Sequence, residues 1–366
     1  MRERGFSLVE FMIAITIGLF LVGGLVYLIA ETSRARAEME RSSRQIENGR
    51  YALDRIAEDL RHAGFYSEFF QLPMSGETGF PATTGAAAPC GTTKAQLEAG
   101  LPLGIQAYDG GASVPADLSG CLSASDYQPN TDILVVRRAS TAVICPTGRI
   151  CPSGAGADTP VANRFYIQTT PPAYKLDLGT NIATFDLTQP AVNTTETRDV
   201  PLRPYIVRIY FVSKCNVPAS GSTCNGVSDD GGTPIPTLKM LELGVDPVSG
   251  VTALQKLAVA EGIEHLQFDF GIDDPAFCGQ PAAAADGVAN CIVMCDGATC
   301  STAAWSNLVS VQVNLVARNT EISPDYADDK TYSLGLKGYT AATGDRYRRH
   351  AYSSFVRVKN ISMRRE

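Results

Sequence analysis

The chain is poor in the residues that catalysis draws on. Of its 366 residues only three are histidine: His62, His265 and His350. It has no glycine-rich phosphate loop, no G-x-S-x-G turn and no H-E-x-x-H pair. The usual signs of nucleotide, α/β-hydrolase and zinc-protease chemistry are therefore missing. Each histidine reads as an ordinary residue, His62 on a helical stalk, His265 in a strand and His350 in a basic patch. Basic charge is also short. Lysine and arginine total 31 against 38 aspartates and glutamates, a net charge of −7. Nucleic acid is excluded as a main partner, because phosphate binding needs a basic surface. No enzymatic activity, cofactor or metal is expected.

Two further absences mark the N-terminal region. Phe11 to Ala30 contains no charged residue, and no proline precedes Pro73. A run of twenty such residues forms a helix about 30 Å long, the thickness of a bilayer core. Arg2 and Arg4 stand before it. The positive-inside tendency then leaves the N-terminus in the cytoplasm and the remaining chain across the membrane. No small-residue cleavage site of the A-x-A kind follows Ala30, so a conventional signal peptide is not expected.

The sequence instead runs on as TSRARAEMERSSRQIENGRYALDRIAEDLRHAG. This predicts one helix from Phe6 to about His62, roughly 85 Å long. Met39, Ile46, Leu53 and Leu60 recur every seventh residue, with Ile56 and Ala63 on a neighbouring row. Such a stripe faces one partner surface, and a solvated stalk or short coiled coil carries the same pattern. Gly18, Gly23 and Gly24 allow helices to approach closely in lipid. Gly23-Gly24 is the place where the helix is weakest.

Glu10 opens the apolar run. A carboxylate near hydrocarbon costs about 2–3 kcal/mol even on lenient insertion scales. It either snorkels to the interface or meets a partner. With its basic leader, Gly5-Phe6-Ser7-Leu8-Val9-Glu10 resembles the type IV prepilin motif. That resemblance implies cleavage between Gly5 and Phe6 by a dedicated peptidase and methylation of the new Phe6 amine. It also implies that Glu10 pairs with the Phe6 amine of a neighbouring subunit in a filament. An amine and a carboxylate brought together into an apolar core neutralise each other, whereas either alone is costly. Glu10 is then an assembly contact that sets the register between helices.

The ten cysteines, Cys90, Cys121, Cys145, Cys151, Cys215, Cys224, Cys278, Cys291, Cys295 and Cys300, all lie beyond the apolar run. An exported chain would oxidise them. Cys145/Cys151 and Cys215/Cys224 are spaced to close short loops, and the connectivity as a whole stays open. Cys291, Cys295 and Cys300 with Asp296 offer an alternative zinc reading, against which stand irregular spacing and the scarcity of histidine. Asp229-Asp230 and Asp273-Asp274 read as solvated turns, with calcium as the alternative. The basic cluster Arg346, Arg348, Arg349 and His350 reads as the solvated start of a strand, with a partner contact as the alternative.

Residues 73–130 are rich in Gly, Pro, Ala, Ser and Thr and read as loops with short elements. Strand patterns follow at 131–137, 164–169, 204–213, 308–317 and 353–361. In IEHLQFDFGID, Leu266, Phe268, Phe270 and Ile272 share one face, and His265, Gln267 and Asp269 the other. The expected fold is α+β and pilin-like: a long N-terminal helix, half membrane-spanning and half amphipathic, packed on a mainly antiparallel β-sheet body with disulfide-containing loops. The expected organisation is a leader at 1–5, an assembly helix at 6–30, its amphipathic continuation at 31–63 and a β-rich head at 64–366. A subdivision near 200 is the alternative to a single body.

LAVAEGIEHLQFDFGID looks like the EGIE-x-LQ-x-x-(F/Y)G strand of the PilW minor pilins and of the related J-type pseudopilins. RYRRHAYSSFVRVKNI, residues 346–361, is similar to the closing strand of that family. Residues 73–200 show no such likeness. The resemblance implies a minor type IV pilin that helps start the pilus with other minor pilins and sits near its tip. Implied partners are other minor pilins and the major pilin through N-terminal helices, prepilin peptidase, the inner-membrane assembly machinery and a tip adhesin. The implied location is the bacterial inner membrane, with the head in the periplasm, and then the pilus surface. Two alternatives remain at this level. One is a J-type pseudopilin of type II secretion. The other is a single-pass anchored binding or metal protein that keeps its leader.

Overall fold

The computed structural model describes residues 7–67, 69, 87–146, 149, 151, 156–171, 173–190, 196–281, 286–295, 300, 302–324 and 326–362. Gly5, Phe6 and Asp296 lie outside the described residues.

Helix α1 (Leu8–His62) is continuous, Gly23-Gly24 included. At about 1.5 Å per residue it is roughly 82 Å long. Its start is closed by a capping box. The Ser7 hydroxyl accepts the Val9 N–H, and the Glu10 carboxylate accepts the Ser7 N–H, which satisfies donors that have no partner inside the helix. At the other end Gly64 takes a left-handed φ of 69°, and its N–H donates to Arg137 O. The chain thus turns from helix to sheet within two residues.

The first sheet holds β1 (Ile105–Tyr108), β2 (Ile133–Ala139), β3 (Phe165–Thr170), β4 (Ala173–Leu178), β5 (Arg203–Ser213), β6 (Thr237–Val245) and β7 (Thr252–Glu261). Its main order is β1-β2-β5-β6-β7, with β3 pairing the start of β5 and β4 pairing β3. The second sheet holds β8 (Ile263–Ile272), β9 (Cys291–Val293), β10 (Leu308–Arg318) and, after a hairpin of β11 (Thr331–Leu334) and β12 (Lys337–Thr340), the strand β13 (Arg349–Arg357). Its order is β9-β8-β10-β13. Pairings in both sheets are antiparallel.

The strands part between the sheets at Gly262. Its φ is 76°, and a Cβ there would stand 2.6 Å from Arg318 O. Only glycine makes that corner without strain. Asp132, just before β2, bridges the sheets. Its N–H donates to Leu266 O, and its carboxylate accepts the Phe268 N–H and the Gln267 amide.

One core runs between helix and sheets. It joins Ala52, Ile56 and Leu60 of α1 to Leu134 and Val212 of the first sheet and to Leu266, Phe268 and Val313 of the second. A second core, containing Tyr66, Leu97, Leu101, Val135, Ile209 and Phe211, fills the far face of the first sheet. Residues 87–130 help to roof it, through α2 (Lys94–Gly100) and β1. The composition of that stretch favours loops, and its elements are too short for periodicity to reveal.

Burial also differs from the half-buried alternation expected of the strands. Every residue of β8 is buried. Its polar face lies beneath the β11–β12 hairpin. The Leu336 N–H points at the Asp269 carboxylate, and the His265 ring lies 4.8 Å from that of Tyr339. Burial pushes His265 down to about 4, so it is a neutral packing residue. The final strand also ends early, at Arg357, and Lys359–Ser362 turns into a short helix.

Candidate assembly surface

No residue of α1 before Gln45 is buried. From Leu8 to Ile29 the helix exposes large apolar side chains on all sides, Phe20 at 83%. Its apolar window has a mean hydropathy of 2.5. By length and composition this segment can cross a membrane. Glu10 lies at its start, inside the capping box. The structure does not bring Glu10 together with the cysteines, which all lie in the head.

The head grips the other half of the helix. The seven-residue stripe is only partly the docking face: Met39 is 70% exposed and Ile46 40%. The buried row is instead Gln45, Gly49, Ala52, Ile56, Asp59 and Leu60, spaced by three and four as one helix face requires. Its polar members form specific anchors. The Gln45 amide donates to Ala317 O at 2.7 Å and Arg348 O at 3.0 Å. Gly49 lies under Tyr352 so closely that a Cβ would be 2.5 Å from the ring. The Asp59 carboxylate, wholly buried, accepts from Arg208, from Arg138 and from the Tyr210 hydroxyl. Burial alone would raise its pKa. The two guanidiniums and the tyrosine outweigh that and hold it below the usual carboxylate range.

The two stretches that resemble PilW strands meet here. Glu264, from EGIE, accepts from both Arg318 and Arg349. Arg349, from RYRRH, is also held by Asp328 at 2.9 Å and Asp345 at 2.6 Å. Burial disfavours the charged Asp328, but Arg349 and Tyr332 more than offset it and keep that carboxyl below its ordinary value. Arg349 is therefore a buried hub and not part of a solvated strand start. Farther along, Val356 and Val358 join the core, and Asn360 donates to Arg61 O and Ala63 O at the end of α1. That asparagine caps carbonyls that the helix itself leaves unpaired.

The cysteines pair as Cys90–Cys121, Cys145–Cys151, Cys215–Cys224, Cys278–Cys291 and Cys295–Cys300. Cys291, Cys295 and Cys300 thus offer no thiolates for zinc. Cys215, Cys224 and Asp229 lie near one another, but the disulfide occupies both sulfurs. The Asp229 carboxylate accepts the Ala219, Asn225 and Gly226 N–H groups. Asp229 and Asp273 are both buried, so neither acidic pair is a solvated turn. Asp230 accepts three further backbone N–H groups, and Asp274 accepts from Phe277 and Asn307.

Sequence reading passed over Asp59, Gln45, Glu264 and Asn360. A signal existed for Asp59. It stands three residues from both Ile56 and His62, on the edge of an otherwise apolar row, where a carboxylate needs partners. Glu264 and Asn360 lie inside the two PilW-like stretches, which marked their positions but not their contacts.

Residues 225–360 match the family described as Type IV Pilus-assembly protein W, and residues 1–26 match the prokaryotic N-terminal methylation motif. No match to the chain was found among curated proteins or solved structures. The first match covers β6 through β13 and thus the whole second sheet, the Glu264–Arg349 network and the Asn360 cap. The second covers the leader, Glu10 and most of the exposed apolar helix. The chain thus matches the PilW family over residues 225–360 and the general N-terminal methylation motif at its start, which together support a type IV minor pilin.

Proposed function

We propose that this minor pilin takes part in starting the pilus together with other minor pilins and comes to lie at or near the fibre tip. Prepilin peptidase removes residues 1–5, cutting between Gly5 and Phe6, and the Phe6 amine is methylated. The subunit waits in the inner membrane with its apolar helix in lipid and its head in the periplasm. Helices then associate, and Glu10 meets the Phe6 amine of a neighbour. The observation that carries this reading is the placement of Glu10. It is the one carboxylate at the head of a 20-residue run without charge, on a helix segment that the head leaves entirely uncovered. Beyond its bond in the capping box, a charge kept there gains from an opposite charge entering the same apolar setting. Bulk supports the tip position. A head formed from about 300 residues fits a fibre end more easily than every site of a dense helical array. The test is the intact mass of the protein recovered from membranes. The expected chain begins at methylated Phe6. Protein found only with Met1 to Gly5 attached overturns the reading.

A further inference from the structure

Where α1 enters the head, it and β13 wall a cleft of about 280 Å³. Among the described residues, ten line the cleft and none of these is acidic, in a chain whose net charge is −7. The Arg349 charge is spent on Glu264, Asp328 and Asp345. Arg348 is paired with Glu38 and lies 4.5 Å from the Tyr326 ring centre. Arg50 and Lys330 remain, with no carboxylate partner among the described residues. Beside them the Tyr352 hydroxyl is buried and makes no hydrogen bond. A buried hydroxyl left without a partner is unfavourable, and an acceptor entering the cleft would satisfy it. The cleft therefore holds two uncompensated cations and an idle donor, an arrangement complementary to a carboxylate.

The source of that carboxylate is set by height and by the rim. The helical wall, Ser42 to Arg50, begins 12 residues beyond Ala30, so it stands about 18–30 Å along the helix from the end of the apolar run. Headgroups fill about 5–7 Å beyond the hydrocarbon, so the cleft stands about 11–25 Å above them, more than one Debye length of about 8 Å and too far for a headgroup to enter it. Ile46, on the rim, is 40% exposed. An apolar contact beside the charges suits a polypeptide better than a free inorganic anion. We infer that this cleft docks a carboxylate-bearing segment of a neighbouring pilin subunit. The inference rests on the pilin reading and adds a second, electrostatic contact well above the membrane.

The test uses full-length protein in membranes. Carbodiimide treatment joins an amine to a carboxylate in contact with it, and mass spectrometry reads the linked peptides. The expected product links Lys330 to an Asp or Glu of another pilin chain and disappears in Lys330→Arg. Recovery of pilin complexes is expected to fall at least tenfold in Arg50→Glu/Lys330→Glu and to stay within twofold in Arg50→Lys/Lys330→Arg. Lys330 linked only within its own chain, or full recovery with both charges reversed, overturns the inference. Glu10→Val in parallel separates the two readings. If it abolishes complexes while the reversals do not, the cleft fails and the pilin reading stands. If it leaves them intact, the pilin reading fails, and the Lys330 crosslink still decides the cleft.

Discussion

At the scale of single residues, the head holds its helix by polar anchors whose partners leave no slack. Asp59 is the clearest. Two arginines and a tyrosine converge on a carboxylate that water does not reach. Replacing it with alanine takes the carboxylate from Arg138 and leaves Arg208 with Glu242 alone, so Asp59→Ala is expected to destabilise the detergent-solubilised protein by about 3 kcal/mol, read by denaturant unfolding. Its depressed pKa also sets a pH dependence. A carboxyl whose folded pKa lies below its unfolded value contributes fully above the unfolded value, near 4, and its contribution is lost as pH falls through the folded one. Asp59, Asp328 and Asp177 all shift this way. The contribution of these three carboxylates is therefore expected to hold from neutral pH to about 4 and to be lost below it, while neutral His265 already begins to cost stability as pH falls below about 6.5. In Asp59→Asn that acid limb is expected to be shallower, which a pH series of melting temperatures checks.

At the scale of elements, helix and sheet fit because specific side chains are missing. Alanine is a better helix former than glycine by about 1 kcal/mol, yet at position 49 its methyl would overlap the Tyr352 ring. Gly49→Ala is expected to cost about 1–3 kcal/mol through overpacking. In a Tyr352→Ala background the same change is expected to become neutral or stabilising, and a double-mutant cycle measures that coupling. Gly262 acts likewise between β7 and β8. Gly262→Ala meets both an unfavourable φ and Arg318 O, and a loss of about 2–4 kcal/mol in denaturant unfolding is expected. The elements themselves were largely legible beforehand. The long helix followed from the absence of proline and charge, and the strands at 204–213, 263–272 and 308–317 from alternation. Alternation did not reveal that β8 is covered on both sides, because the β11–β12 hairpin that covers it comes about 60 residues later in the chain. Nor did it reveal β1, only four residues long.

For the whole molecule, the division of labour along α1 matters most. Its C-terminal part belongs to the head, and none of its residues before Gln45 is buried. The motif at the start of the chain was legible because its residues stand together within a few adjacent positions. The cleft was not, since Arg50, Lys330 and His350 are brought together only by the docking of β13 on α1. From this division follows a separation of effects. Glu10→Val removes a membrane penalty of about 2–3 kcal/mol and one arm of the capping box, worth about 1 kcal/mol locally. Neither change reaches a residue in contact with the head. Membrane insertion and the unfolding midpoint of the head are therefore expected to be unchanged, while recovery of complexes with other pilins falls. Asp59→Ala is expected to do the reverse, lowering the midpoint with Glu10 and its surroundings intact. Measuring insertion, midpoint and complex recovery on both variants checks the division directly. A lowered midpoint in Glu10→Val would show that the two halves of the helix are energetically coupled after all.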